Sequence, residues 1–227
     1  AILVRNIEVP IFREVSLTTD QTDFSGAANG VTQKVFISIS NTGNDDEQYN
    51  LSLTQQNWQL GGNLAVSQTP IMDAWDGSSM IQLNLPMPIG LSPGLYGLTV
   101  RATSVSDPTV SASIDLTVDI IDTAAVHVSD EDADQTYIPG GSAQTMKFEV
   151  RNDGNSIDRF TMSFDLPTGM VAEFTNLHDG KTPEIMTGSS YNVSVRFSFL
   201  DGTEGQLPLG VIATSVNDAN INATGTA

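Results

Sequence analysis

The segment Val35-Phe36-Ile37-Ser38-Ile39-Ser40-Asn41-Thr42-Gly43-Asn44 returns later as Met146-Lys147-Phe148-Glu149-Val150-Arg151-Asn152-Asp153-Gly154-Asn155. The offset from Asn41 to Asn152 is 111 residues, and it holds elsewhere. Val15 and Leu17 fall on Val126 and Val128, Gly30 on Gly141, and Tyr49 on Phe160. Ala102-Thr103-Ser104-Val105 recurs unchanged as Ala213-Thr214-Ser215-Val216. A period of this length that keeps alternation and turn glycines means two copies of one β domain.

Under the same offset, Ala1 to Val9 align with Ala112 to Ile120, the last strand of the first copy. Residues Ile221 to Ala227 stop opposite Leu116, partway along that strand. The division is therefore residues 1–10 as an N-terminal strand, 11–121 as the first domain, and 122–227 as a second domain whose closing strand is incomplete. Two origins fit this phase shift. Either the first strand of one subunit completes the last domain of the next, or the chain is a segment of a longer array. A short, stiff connection is expected at Ile121-Asp122-Thr123-Ala124-Ala125, which has no Gly/Ser tract.

Strand signals dominate the chain. Met146, Phe148 and Val150 alternate with Lys147, Glu149 and Arg151, an inside/outside pattern. Turns follow at Asn41-Thr42-Gly43-Asn44 and Asn152-Asp153-Gly154-Asn155. New alternating strands then open at Tyr49 and Phe160. Ile81, Leu83 and Leu85 answer Val193, Val195 and Phe197 with one residue of slippage, and Ile114, Leu116, Val118 and Ile120 form a closing strand. Without a long amphipathic helical stretch, the fold class is all-β: two tandem sandwiches of antiparallel sheets. The stretch from Leu60 to Gly77 is the least regular, and Trp58 and Trp75 are expected to pack near a sheet end.

The two turns and their flanking strands resemble the immunoglobulin-like modules of bacterial and archaeal surface proteins. The shared pattern is a hydrophobic strand, an Asn-x-Gly-Asn turn, a short acidic stretch and an aromatic at the next strand, here ending at Tyr49 and Phe160. Pro93-Gly94-Leu95-Tyr96-Gly97-Leu98-Thr99-Val100 is similar to the strand start of the cell-adhesion-related domains of bacteria (CARDB-like). That resemblance implies a hydroxyl of Tyr96 bonded back to the backbone of a corner. Leu207 stands at the matching place in the second copy. The resemblance also implies an extracellular setting at a prokaryotic, archaeal, cell surface, as spacer, surface-layer unit, stalk or filament subunit.

Nine Lys and Arg against 27 Asp and Glu give a net charge of −18. Such a field opposes nucleic acid and anionic lipid and suits a salty or cation-rich surface. Cysteine is absent, so disulfides and thiolate metal sites are ruled out. No apolar run approaches the ~20 residues of a membrane-spanning helix, so direct membrane insertion is not expected.

His127 and His178 have no partner at catalytic or metal-ligand spacing, and no Ser, His and acidic set recurs in a known local motif. The sequence reads as a non-enzyme with no resident cofactor. Calcium is the one metal to consider, at the acidic stretch Asp130, Glu131, Asp132 and Asp134, and secondarily at Asn44-Asp45-Asp46-Glu47. Neither stretch fits an EF-hand loop. Glycosylation sequons occur at Asn50, Asn192 and Asn222, with Asn50 and Asn192 expected to face solvent.

The function expected is that of a structural subunit in an extracellular filament or surface layer. Its partners are copies of itself, joined through Ile2, Leu3, Val4, Ile7 and Val9 by donor-strand complementation, or neighbouring repeats of a longer chain. Arg5 interrupts the apolar face of that strand, opposite Leu116. The alternatives are a stalk or adhesin segment that contacts carbohydrate, and an accessory binding domain of a secreted hydrolase. An exposed aromatic beside polar groups would favour carbohydrate.

Overall fold

Alternation becomes strand wherever an apolar side chain recurs every second residue. Val35, Ile37 and Ile39 are buried along β3 (Thr32–Asn41), as are Met146, Phe148 and Val150 along β10 (Gln144–Asn152). A computed structural model describes residues 7–56, 61–131, 137, 140–200, 202 and 205–227. Among these residues there is no helix. The chain forms two compact units, with the main division between Ile121 and Asp122.

The first unit is a sandwich of eight described strands. One sheet has the order β1 (Val15–Thr19), β3, β6 (Ser78–Pro86), β5 (Asn63–Leu64). The other has the order β2 (Asp23–Ala27), β8 (Ser111–Ile121), β7 (Gly94–Ser104), β4 (Tyr49–Gln56). The core lies between them: Ile37, Ile39, Ile81, Leu83 and Leu85 meet Tyr49, Leu98, Val100, Leu116, Val118 and Ile120. Each such side chain contributes about 1.5–3 kcal/mol of burial. The sheets are not wholly antiparallel as expected, because β2 runs parallel to β8, with Phe24 opposite Val118. Among the described residues, the irregular stretch before Gly77 contributes β5 and isolated bridges such as Glu47 with Met72.

The second unit repeats the plan with seven described strands. One sheet orders β12 (Met170–Phe174), β13 (Ser190–Phe199), β10, β9 (Val126–Asp130). The other orders β11 (Phe160–Asp165), β14 (Gly210–Ser215), β15 (Asn222–Thr226). Phe148, Val150, Phe160, Val193, Val195 and Val211 form its centre. A closing strand is present here as β15, and it covers five residues where β8 covers eleven.

One aromatic departs from expectation. Trp75 is 66% exposed rather than packed at a sheet end, and its φ of 71° lies in the left-handed region. In the matching turn of the second unit Gly188 holds that conformation, at φ 72°. A bulky side chain at positive φ is an outlier. Trp58 lies outside the described residues.

Candidate functional site: a pinned N-terminal arm and a short closing strand

The Asn-x-Gly-Asn turns clamp the chain where it enters each sandwich. Asn41 is fully buried. Its Nδ2 donates to the carbonyls of Asp45 at 2.9 Å, Asp73 at 3.1 Å and Met72 at 3.2 Å, and its Oδ1 accepts from the Gly43 amide at 3.1 Å. Asn152 repeats this, donating to Ser156 and Ile185 carbonyls at 2.8 Å and accepting from the Gly154 amide at 2.9 Å. Buried amides satisfied this fully fix the turn, since each orphaned carbonyl would cost about 1–3 kcal/mol.

The second Asn of each turn then grips the incoming strand. The Phe12 amide donates to Asn44 Oδ1 at 2.6 Å, Asn44 N donates to the Phe12 carbonyl at 2.8 Å, and Asn44 Nδ2 donates to the Pro10 carbonyl at 2.9 Å. In the second unit the Thr123 amide donates to Asn155 Oδ1 at 2.8 Å, and Asn155 N donates to the Thr123 carbonyl at 3.1 Å. The approach needs glycine at the turn. A Cβ on Gly43 would lie 2.6 Å from the Phe12 carbonyl oxygen, and one on Gly154 2.7 Å from the Thr123 carbonyl oxygen.

What precedes each clamp differs. Upstream of Thr123 the chain is β8, with Val118 and Ile120 buried against the first core. Upstream of Phe12 the residues Ile7 to Pro10 belong to no strand. Ile7 and Val9, which align with Val118 and Ile120, are 88% and 74% exposed, and Ile11 is exposed as well. Glu8 aligns with the outward Asp119, so the arm carries the in–out–in pattern of a closing strand. Of the residues expected to make a subunit contact, Ile7 and Val9 are these exposed side chains. Ile2, Leu3 and Val4 lie outside the described residues.

The second unit has a matching edge. β14 and β15 pair up to Gly210 with Thr226, and Leu209 and Ala227 then exchange backbone hydrogen bonds at 2.9 and 3.2 Å. In the first unit the equivalent ladder continues through Tyr96 with Val118 to Gly94 with Ile120. The counterpart residues Gly205, Gln206, Leu207 and Pro208 form no assigned strand, although Leu207 packs on the core. Pro208 replaces Gly97 in this alignment. Thr117, opposite Gly97, turns its amide toward Thr22 and away from β7. The pair is therefore not hydrogen-bonded across the ladder, and a proline there removes no bond on that side.

Behind each clamp lies a buried acid. Glu47 accepts from the Ser104 hydroxyl at 2.7 Å, the Gln48 amide at 2.9 Å, Arg13 Nε at 3.0 Å and the Ser106 hydroxyl at 3.1 Å. Burial works to raise its pKa, but the hydrogen bonds from Ser104, Gln48 and Ser106 outweigh it, and the net shift is downward. Arg13 also pairs with Asp45 at 2.7 Å, and Asp46 accepts from the Ala74 amide at 3.0 Å. The acidic run after the first turn is thus spent on internal bonds. Asp158 takes the place of Glu47 in the second unit, bonded by the Ser215 hydroxyl and by the Arg159 amide at 2.6 Å. Tyr49 adds a hydroxyl 3.0 Å from the Glu14 carbonyl and 3.1 Å from Asn41 Oδ1. Its pKa is pushed up to about 12 by burial and by the Glu47 charge, with Arg13 opposing. Tyr49 thus ties its own strand to this corner. Tyr96, the residue proposed for that role from resemblance, is half-buried in β7.

The remaining sequence candidates stand on the surface. Asn50, Asn192 and Asn222 are exposed on β4, β13 and β15. Asn192 Nδ2 donates to Glu131 Oε2 at 2.9 Å. Asp130 ends β9 and Glu131 follows it, while Asp132 and Asp134 lie outside the described residues. Among the described residues no group of three or more His, Asp or Glu is placed to hold a metal ion. His127 is exposed, and the likewise exposed His178 has its Nδ1 3.1 Å from Asp179. Sequence reasoning missed the two buried acids, although the unchanged Ala-Thr-Ser-Val repeats marked their serine partners.

No family model matches the chain, and no curated relative matches it. Solved structures similar to it include PapD-like domain 7 of human CEP192, at 16% identity over 53% of this chain and 94% of that one, with a TM-score of 0.37. The secreted serine protease VesC from Vibrio cholerae is similar over 84% of this chain and 48% of its own, at 12% identity and a TM-score of 0.37. The E. coli chaperone DraB is similar over 95% of this chain and 97% of its own, at 10% identity and a TM-score of 0.34. The paired sheets of the chain itself define its architecture.

Proposed function

We propose that this chain is a structural subunit of an extracellular assembly, a filament or surface layer, whose copies join head to tail by strand donation. The donor is the arm around Ile7 and Val9. The acceptor is the edge of β14 beyond Gly210 in the second sandwich of a neighbour. One observation carries the reading: Ile7 and Val9 lie directly upstream of the Pro10 and Phe12 backbone that Asn44 holds and are exposed, while their counterparts Val118 and Ile120 are buried in a completed sandwich. Alignment sets Ile7 opposite Leu207, as Val118 stands opposite Tyr96. Each of the two side chains would gain about 1.5–3 kcal/mol on burial. A contact between different patches does not close on itself and propagates a filament.

A second reading, a stalk or adhesin segment of a longer array, rests on the Thr123 clamp. There the strand upstream of the clamp is β8, supplied by the same chain.

Electron microscopy of the intact chain, a variant lacking residues 1–9 and the double variant Ile7→Asp/Val9→Asp tests the proposal. Filaments that both changes abolish are expected. Separate two-domain particles from all three would reject strand donation and leave the array.

A further inference from the structure

The outward positions within β1, β3, β6 and β5 carry no carboxylate, in a chain with 27 acidic residues; Glu14, one residue before β1, sits at the end of that face and accepts from the Thr42 hydroxyl at 3.0 Å. Its outward positions on the two central strands are Thr32, Lys34, Phe36, Ser38 and Ser40 on β3, set against Pro86, Asn84, Gln82, Met80 and Ser78 on β6. Phe36 and Met80 are 52% and 71% exposed and lie on diagonal cross-strand positions. Beside them runs a row of side-chain amides. Gln82 Nε2 donates to Asn84 Oδ1 at 2.6 Å, and Asn84 Nδ2 donates to Asn63 Oδ1 at 2.9 Å. The equivalent face of the second unit carries Lys147, Glu149 and Arg151, and a pair of Arg196 with Glu173 at 3.2 Å.

We propose that this face of the first sandwich is a platform for a neutral polysaccharide. A sugar ring has apolar C–H faces that suit an exposed phenyl ring and a thioether. Its hydroxyls both donate and accept, as amides do and carboxylates do not. The amide row is held by its own hydrogen bonds and ends in Gln82 Oε1 as an acceptor and Asn63 Nδ2 as a donor, so little ordering is needed on binding. Lys34 is the single charge among these positions, too little for a polyanion, and no acid stands among them as a counter-charge for a cationic ligand. The platform does not depend on strand donation, so deleting residues 1–9 leaves it unchanged.

Native gels containing hydroxyethylcellulose, laminarin, dextran or xylan test this on the full chain, with alginate as an anionic control. Retardation in at least one neutral gel and none in alginate is expected. Phe36→Ala or Gln82→Glu should weaken it about tenfold without shifting thermal unfolding, since both positions are outward. Three results would overturn the proposal: no retardation in any neutral gel, retardation that survives both substitutions, or self-association in sedimentation that Phe36→Ala abolishes. The last would assign the face to a second copy.

Discussion

The two clamps solve one geometric problem with different chemistry. In the first sandwich Glu47 is buried beside Arg13, and Tyr49 caps the turn through its hydroxyl. In the second, Ala124 stands where Arg13 does and Phe160 where Tyr49 does. Among the described residues Asp158 makes no ion pair, and its donors are the Ser215 hydroxyl and backbone amides of Arg159 and Asn217. A buried carboxylate in this corner therefore needs aligned N–H and O–H donors more than it needs a cation. The serine is common to both. It donates to the acid and accepts from the Asp107 or Asp218 amide at 2.9 Å.

The largest effects should come from the feature the clamps share. Gly43→Ala places a Cβ within 2.9 Å of three backbone atoms, and Gly154→Ala meets one at 2.7 Å. Overpacking against backbone predicts a loss of about 3 kcal/mol in each sandwich, larger for Gly43, read by hydrogen exchange resolved for each unit. Equal losses at distant sites in both units would break the assignment.

Serine substitutions should separate the two corners. Ser215→Ala removes the hydroxyl from an acid with no cation and is expected to cost about 2–3 kcal/mol in the second sandwich. Ser104→Ala leaves Glu47 with Arg13, Ser106 and the Gln48 amide, and about 1 kcal/mol is expected. A reversed order in chemical denaturation would contradict the role given to Arg13.

Alkali should sharpen the contrast. The folded pKa of Tyr49 is raised to about 12 from an ordinary value of 10. Its contribution is intact below pH ~10 and is lost as pH rises from there toward the folded value. Tyr49→Phe should cost about 1 kcal/mol at neutral pH and flatten the alkaline loss of the first sandwich. Acid gives the smallest effect. The folded pKa of Glu47 is lowered, so its contribution is present above the ordinary carboxylate range and lost as pH falls through the folded value. Glu47→Gln should reduce the acid sensitivity of the first sandwich. An unchanged acid profile would place that sensitivity elsewhere.

Much of the fold was legible because period-2 alternation maps directly onto burial, as at Met146, Phe148 and Val150. The β2 strand was not. Asp23-Phe24-Ser25-Gly26-Ala27 has no clean alternation, and its parallel pairing with β8 depends on the finished sandwich. Glu47 read as part of a secondary calcium candidate because sequence does not show that Arg13 and Ser104, 34 and 57 residues away, converge on it. Trp75 was expected to be covered, since exposure of a tryptophan at positive φ has no local signature. The arm was expected as a strand from its alignment with β8, but Ile7 to Pro10 form none, and the hold of Asn44 on Pro10 and Phe12 was visible only in the hydrogen bonds.

The chain has no cysteine, so a single engineered pair gives an unambiguous readout of the arm's register. Ile7→Cys with Leu207→Cys should yield a ladder of disulfide-linked concatemers under mild oxidation, with each single variant stopping at dimers. That result would place Ile7 of one copy opposite Leu207 of another within disulfide reach. A double variant that stays monomeric, or that closes a disulfide within one chain, would contradict strand donation between copies.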